Sequence, residues 1–185
     1  AQLAAALRAR LPVPGGFALS VEDVAAVVAG GPVTVPAGRW AVRSSAVDED
    51  HGTASFAGQH VSVLHVRSAD VPDAVRTVHT SGESESAKAY RARLGLPLAP
   101  RMAVVVQQMV TARVAGVMFT RNPTTRANEL VIESAWGLGE AVVQGLVTPD
   151  SYRLSNDGAL LERRLGHKDF EVVQTEAGTE ERPVA

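Results

Sequence analysis

Apolar residues recur at helical spacing at the start of the chain, where Leu3, Ala6, Leu7 and Arg10 share one face. This predicts a helix over residues 1–10, ended by Pro12 and Pro14, which remove donors and restrict the residues before them. A turn at Gly15–Gly16 leads to a short strand at residues 17–19. Ser20, with Asp23 three positions on, then marks the start of the helix VEDVAAVVA, closed by Gly30 and Gly31. Strands are expected at residues 40–46 and 60–66, on either side of the polar loop VDEDHGTASFAGQ, and helices at residues 68–80 and 84–94. MAVVVQQMV, residues 102–110, is apolar without alternation, the pattern of a buried strand. AGVMFT and ELVIESA suit an antiparallel pair joined by the turn RNPTTRAN. SYRLS, the turn NDG, ALLERRLG and KDFEVVQT read as a small β-meander before the polar EAGTEER. Hairpin strands with intervening helices favour an α+β layer architecture over a doubly wound parallel sheet.

The chain has 185 residues, enough for one sizeable core or two small subdomains sharing a cleft. Its formal net charge of -2 supplies no general attraction for nucleic acid or anionic lipid. The chain contains no cysteine, which excludes disulfides, thiolate zinc sites and thiol nucleophiles. Arg8 and Arg10 interrupt the apolar start, so it reads as an amphipathic helix rather than a leader. No window approaches the roughly 20 apolar residues that cross a bilayer. The expectation is a protein with no membrane or nucleic-acid partner, in the cytoplasm by default.

Candidate chemistry concentrates in WAVRSSAVDEDHGTASFAGQHVS. Arg43 lies mid-strand among Ala41, Val42 and Ala46, where a permanent charge is costly unless it meets an anion. That anion is either a phosphate, gripped by the planar guanidinium with help from Ser44 and Ser45, or the nearby Asp48 or Glu49. Gly52 and Gly58 flank Thr53 and Ser55 in a loop whose hydroxyls and backbone N–H groups suit a polyphosphate or an ordinary surface hairpin. Asp48, Glu49 and Asp50 read as a solvated run rather than as metal ligands. In MAVVVQQMV the adjacent Gln107 and Gln108 need hydrogen-bond partners if buried. Gly137-Leu138-Gly139 reads as a turn after Glu133 at a strand end, Glu140 as a helix-start carboxylate, and Lys168 as a solvated lysine at a strand end. The five histidines form no i, i+4 metal pair, and no G-x-S-x-G elbow is present.

VRSSAVDEDHGTASFAGQHVSVLHV resembles the signature of the ATP-binding domain shared by phosphoenolpyruvate synthases, pyruvate phosphate dikinases and rifamycin phosphotransferases. MAVVVQQMV, GVMFTRNPTT, ESAWGLGEAVVQGLVTPDSY and GHKDFEVV are similar to the family's later blocks, in the same order across nearly the whole chain. The resemblance implies an ATP-grasp-like fold, with two small α+β subdomains, residues 1–110 and 111–185, around a nucleotide cleft. It implies that Arg43 contacts ATP phosphates, as the candidate catalytic residue, and that Gly58 and Ser62 belong to the phosphate-covering loop. Gln107 or Gln108, with the backbone of Met109 and Val110, falls where the family recognises adenine.

The same resemblance implies ATP and Mg2+ as cofactors, a phosphocarrier histidine domain and an acceptor-binding domain as partners in the parent chain, and a dikinase that passes phosphate through phosphohistidine to pyruvate. Two alternatives remain: an antibiotic phosphotransferase with the same ATP domain, or a non-catalytic nucleotide-binding or assembly module. The family's Gly-Gly-Lys segment would precede Ala1, and a further helix and an acidic strand with the Mg2+ ligands would follow Ala185. The expectation is therefore a domain incomplete at both ends, inactive alone and without metal ligands of its own. Two departures from the family pattern are a short stretch between Phe17 and Trp40 and Asn122 where an aspartate is common.

Overall fold

The computed structural model describes residues 2–46, 61–93, 95, 97, 101–176 and 178–184. The chain divides into two compact units, Ala1–Val110 and Thr111–Ala185.

In the first unit the helices are α1 (Gln2–Arg8), α2 (Val21–Val28), α3 (Val71–Ser81) and α4 (Glu85–Arg93), and the strands are β1 (Gly16–Leu19), β2 (Arg39–Ala46), β3 (Ser62–Arg67) and β4 (Met102–Gln108). The strands form one sheet in the order β1-β4-β2-β3, with every neighbouring pair antiparallel. Ser20 begins α2 with a full capping box: its hydroxyl accepts from the Asp23 amide at 3.1 Å, and the Asp23 carboxylate accepts from the Ser20 amide at 2.9 Å. A 3-10 turn, Ser68–Asp70, leads into α3, where Pro72 occupies the first turn without losing a helical hydrogen bond.

The core of this unit is one layer of helices on one face of the sheet. Val24 and Val27 of α2 and Val71, Val75 and Val78 of α3 cluster with Val42, Met102, Val104 and Val106. Strand side chains alternate between faces. Placing Val42, Val104 and Val106 under the helices therefore sends Ala41, Arg43, Ser45, Val105 and Gln107 to the opposite face.

Register along β2 and β3 shifts between Trp40 and Val42, where Leu64 and His65 face the single residue Ala41. His65 takes a left-handed backbone there, with φ 58°. The bulge decides which β3 residue faces Arg43.

The second unit holds β5 (Val114–Phe119), β6 (Leu130–Trp136), β7 (Asp150–Leu154) and β8 (Leu160–Arg164) in one antiparallel sheet in that order. A short helix, α5 (Glu140–Val143), follows β6, and β9 (Phe170–Gln174) pairs with β10 (Thr179–Pro183) in a separate two-stranded sheet. Ala135, Leu138, Ala141 and Val172 form the small core that joins β6, α5 and β9. Gly137, with φ 75°, closes that joint: a β-carbon on it would lie 2.2 Å from the Val172 carbonyl oxygen.

The α+β class stands, with three differences from the sequence reading of this unit. The tail is not a separate meander, because β7 and β8 extend the β5–β6 sheet. EAGTEER supplies most of β10, whose residues are exposed throughout, so no apolar alternation announces it. Glu133 sits in the middle of β6 rather than at its end, because the strand runs on to Trp136 opposite Val114.

Candidate functional site

The face of the first sheet opposite α2 and α3 brings together Arg43, Ser62 and Gln107. Arg43 on β2 is exposed and lies between Ser62, its register partner on β3, and Val105, its partner on β4. Gln107 projects from the same face two residues beyond Val105, about 7 Å along the strand. Ser62 is exposed, so a guanidinium and a hydroxyl stand side by side over an apolar sheet and open to solvent. Such a pair suits an incoming anion with several oxygens. Gly58 and the acidic run Asp48, Glu49 and Asp50 lie outside the described residues.

The end of β4 divides the two glutamines. Gln107 is 8% exposed, and its Nε2 donates to the Pro14 carbonyl at 3.2 Å. Gln108 is exposed, and its backbone N–H donates to the Gly15 carbonyl at 2.7 Å. The Met109 amide is engaged as well, donating to the Arg39 carbonyl at 2.9 Å. Val110 is 54% exposed, and its amide donates to no backbone carbonyl among the described residues. Past Gly15 the neighbouring segment alternates proline, with Pro12 and Pro14 offering no N–H, so the β1 side of this strand end stays unzipped. It provides a backbone edge of the kind a flat heterocycle pairs with.

Pro14 and Gly16 are the contributors that sequence reasoning missed. Gly16 packs so tightly on β4 that a β-carbon would lie 2.4 Å from the Val106 carbonyl oxygen and 2.8 Å from the Gln107 Cα. The signal was PVPGG itself, read only as a helix stop and turn; its partner on β4 is 93 positions away.

The second unit holds a charge network beside a cavity of about 300 Å³. Asn122, 8% exposed, donates through Nδ2 to Glu129 at 2.6 Å and accepts through Oδ1 from the amides of Thr124 and Thr125 at 2.9 Å each. Arg153 clamps Glu129 with Nε at 3.0 Å and Nη2 at 2.8 Å, and reaches Glu162 with Nη1 at 2.6 Å; Arg164 also binds Glu162, at 2.5 Å. Hydrogen bonds from Arg153 and Asn122 hold the Glu129 carboxyl below the usual range, and those from Arg153 and Arg164 do the same for Glu162. The arginines lining this cavity are thus engaged by Glu129, just before β6, and by Glu162 of β8.

Lys168 is not the solvated lysine its sequence context suggests. Its side chain is 10% exposed and its ammonium pairs with Asp150, which also accepts from the Gly166 amide at 2.8 Å. Burial pushes the Asp150 carboxyl up, but the bonds from Lys168 and Gly166 outweigh it and leave the group below its ordinary value. The reason is local: Gly166 packs directly on the carbonyls of Thr148 and Pro149, which carries Lys168 back over Asp150. Glu140 stands in the first turn of α5, as expected.

Comparison with known proteins matches residues 30–185 to the family described as pyruvate phosphate dikinase, AMP/ATP-binding domain. The chain is 44% identical over 147 residues to a probable phosphoenolpyruvate synthase of Methanothermobacter thermautotrophicus, covering 78% of this chain and 22% of that protein. It is 43% identical over 164 residues to a phosphoenolpyruvate synthase of Aeropyrum pernix, covering 86% and 20%. To the prodigiosin synthesizing transferase PigC of Serratia marcescens it is 49% identical over 133 residues, covering 69% and 14%. The matched region thus spans about a fifth or less of the length of these relatives. With an α+β fold and an ordered set of blocks that a family match covers from residue 30 onward, the chain belongs to the AMP/ATP-binding domain family of pyruvate phosphate dikinase.

Proposed function

We propose that the chain is the ATP-binding portion of a dikinase that transfers phosphate from ATP through a phosphohistidine to pyruvate, as in phosphoenolpyruvate synthases. The observation that carries the site assignment is the shared face of Arg43, Ser62 and Gln107 on the first sheet. Arg43 binds and orients the phosphates, Ser62 adds a hydroxyl beside it, and the loop containing Gly58 covers them. The strand end from Gln107 to Val110 takes the adenine, with the Gln108 side chain and the Val110 amide, which donates to no backbone carbonyl among the described residues, beside it. Met109 contributes by fixing the strand end to Arg39 rather than by offering its own N–H.

The spacing supports this arrangement, because about 7 Å of strand separates the Gln107 and Val105 positions, a separation suited to a base at one end and phosphates at the other. Phosphoryl transfer asks the protein mainly for positioning and charge stabilisation, which a guanidinium on a rigid strand provides without an acid–base pair. Mg2+ accompanies the triphosphate in this reading. The described residues contain no group of three or more His, Asp or Glu that could hold a metal ion, so no step is assigned to metal ligands of this chain. A histidine-bearing domain and an acceptor-binding domain belong to the remaining length of such a protein. The relatives include both phosphoenolpyruvate synthases and a prodigiosin synthesizing transferase, and in this reading the acceptor is chosen outside the shared region.

Calorimetric titration of MgATP into the protein and its Arg43→Ala variant tests the assignment. Loss of one charge-assisted phosphate contact, worth about 1.5–3 kcal/mol, raises Kd by roughly 10-fold to 100-fold. Unaltered affinity in the variant would remove Arg43 from the site.

A further inference from the structure

The cavity of the second unit is built on one face of its sheet. Glu133, Ser151 and Arg164 stand opposite one another on β6, β7 and β8, and Val131, Arg153 and Glu162 form the next row on that face. Thr124, in the turn after β5, lines the same space of about 300 Å³. Pockets for small ligands begin at roughly this size.

Charge in this space does not balance. Arg153 spends Nε and Nη2 on Glu129 and Nη1 on Glu162, and Arg164 turns its Nε to Glu162 as well. Glu129 and Glu162 thus match Arg153 and Arg164 charge for charge. Asn122 is spent too, on Glu129 and on the amides of Thr124 and Thr125. Glu133 is the carboxylate left over. It is half-buried in mid-strand, and its side chain makes no hydrogen bond or ion pair with the described residues. The hydroxyls of Ser151 and Thr124 are likewise unengaged by the described residues. Sheet geometry explains the omission, since the Arg153 row lies about 7 Å along the strand and Arg164 is two strands away, roughly 10 Å across. The Arg164 side chain is also 77% exposed, directed at water rather than into the cavity. An unpaired, half-buried carboxylate lowers stability unless something neutralises it.

We propose that this cavity binds a small organic cation, a guanidinium or primary ammonium group, with the Glu133 carboxylate as counter-charge and the Ser151 and Thr124 hydroxyls as further acceptors. Such a head group brings several N–H donors to a lining whose unused groups can all accept, and a guanidinium meets a carboxylate through two parallel bonds. An anion is opposed, because both lining arginines already have carboxylate partners. A divalent metal ion fits poorly as well: it asks for several oxygen ligands, and the described residues contain no group of three or more His, Asp or Glu that could hold one. The site lies wholly within the second unit and does not depend on the nucleotide reading of the first. A free cation and a lysine or arginine side chain of another protein segment present the same chemistry to it.

The test is a titration of the chain with ethylguanidinium chloride, followed by amide chemical shifts at constant ionic strength. Saturable shifts are expected at Thr124, Thr125, Glu133 and Ser151, with Kd in the millimolar range for a fragment of this size. Sodium chloride should produce no saturation there. Glu133→Gln keeps the shape of the side chain and removes its charge, so Kd should rise by about tenfold or more. Freed of an unpaired charge, that variant should also melt at or above the wild-type temperature. Ser151→Ala leaves the charge in place and should weaken binding severalfold, which keeps the test open if Glu133→Gln does not fold. Agmatine and N-acetyl-L-arginine N-methylamide then separate the two sources: tighter binding of the first points to a free cation, and of the second to a side chain carried by protein. Unaltered affinity in Glu133→Gln overturns the proposal, as does the absence of saturable shifts in the wild type. Saturation of the same amides by magnesium chloride at lower concentration than by ethylguanidinium would replace the organic cation with a metal ion. A clear fall in the melting temperature of Glu133→Gln would show that the carboxylate serves the fold instead.

Discussion

Individual residues in this chain are decided by the neighbours the fold brings to them. Asn122 shows this most clearly. Its amide faces the Glu129 carboxylate, and its oxygen faces two backbone N–H groups, so both ends of the side chain are used with the correct polarity. An aspartate here would keep the turn bonds but place a second carboxylate against Glu129. Asn122→Asp is therefore expected to destabilise the protein by about 1–3 kcal/mol at neutral pH, read from chemical denaturation, with the defect shrinking under acid as the pair takes up a proton. An unchanged midpoint would show that Arg153 alone neutralises the pair. The oddity of Asn122 was visible in the sequence; its reason was not, because Glu129 and Arg153 are 7 and 31 positions away. Lys168 teaches the converse, since a lysine in GHKDF carries no mark of burial until Gly166 folds it onto Asp150.

At the scale of elements, local signals and tertiary ones separate cleanly. The capping box at Ser20 is a contact between residues three apart, and it formed where S-x-x-D placed it. Ser20→Ala should cost about 1 kcal/mol and raise amide exchange in the first turn of α2, while leaving MgATP affinity as it is. Protection that does not change in Val24 and its neighbours would mean that packing of Val24 and Val27 alone sustains the helix. Strand β4 was legible as a buried strand from its apolar run. Its side-to-side assignment was not, because an unbroken run gives no parity; only pairing with β2 shows that Val104 and Val106 face the helices and Gln107 the open side. Strand β10 left no apolar trace, its exposed residues being paired with β9 through the backbone.

For the molecule as a whole, the depressed carboxylates set the pH response. Glu129, Glu162 and Asp150 all ionise more readily in the folded chain than their ordinary values of 4.5 and 3.8. A carboxyl lowered by folding stabilises the native state above its unfolded value, and that contribution disappears as pH falls through the lowered one. The melting temperature should therefore hold level from neutrality to about pH 5 and drop below about pH 4. Arg153→Met removes the principal partner of Glu129 and Glu162, so the gap between variant and wild type should be widest near pH 7 and close in acid. A gap independent of pH would assign Arg153 a packing role only.

Much of this molecule follows from the chain itself. Helix caps, turn glycines, apolar periods and ordered blocks of residues act over a few positions, or repeat a pattern already tied to nucleotide chemistry, so the class, most elements and the family could be read directly. The tertiary structure alone decided the β3 bulge that seats Ser62 beside Arg43, the burial of Lys168, the Asn122–Glu129–Arg153 network and the lock of Pro14 on Gln107. Each of these joins groups distant in sequence or depends on a one-residue change of register, and sheet pairing, which determines both the neighbours of a side chain and the face it occupies, is fixed only when the whole set of strands is assembled.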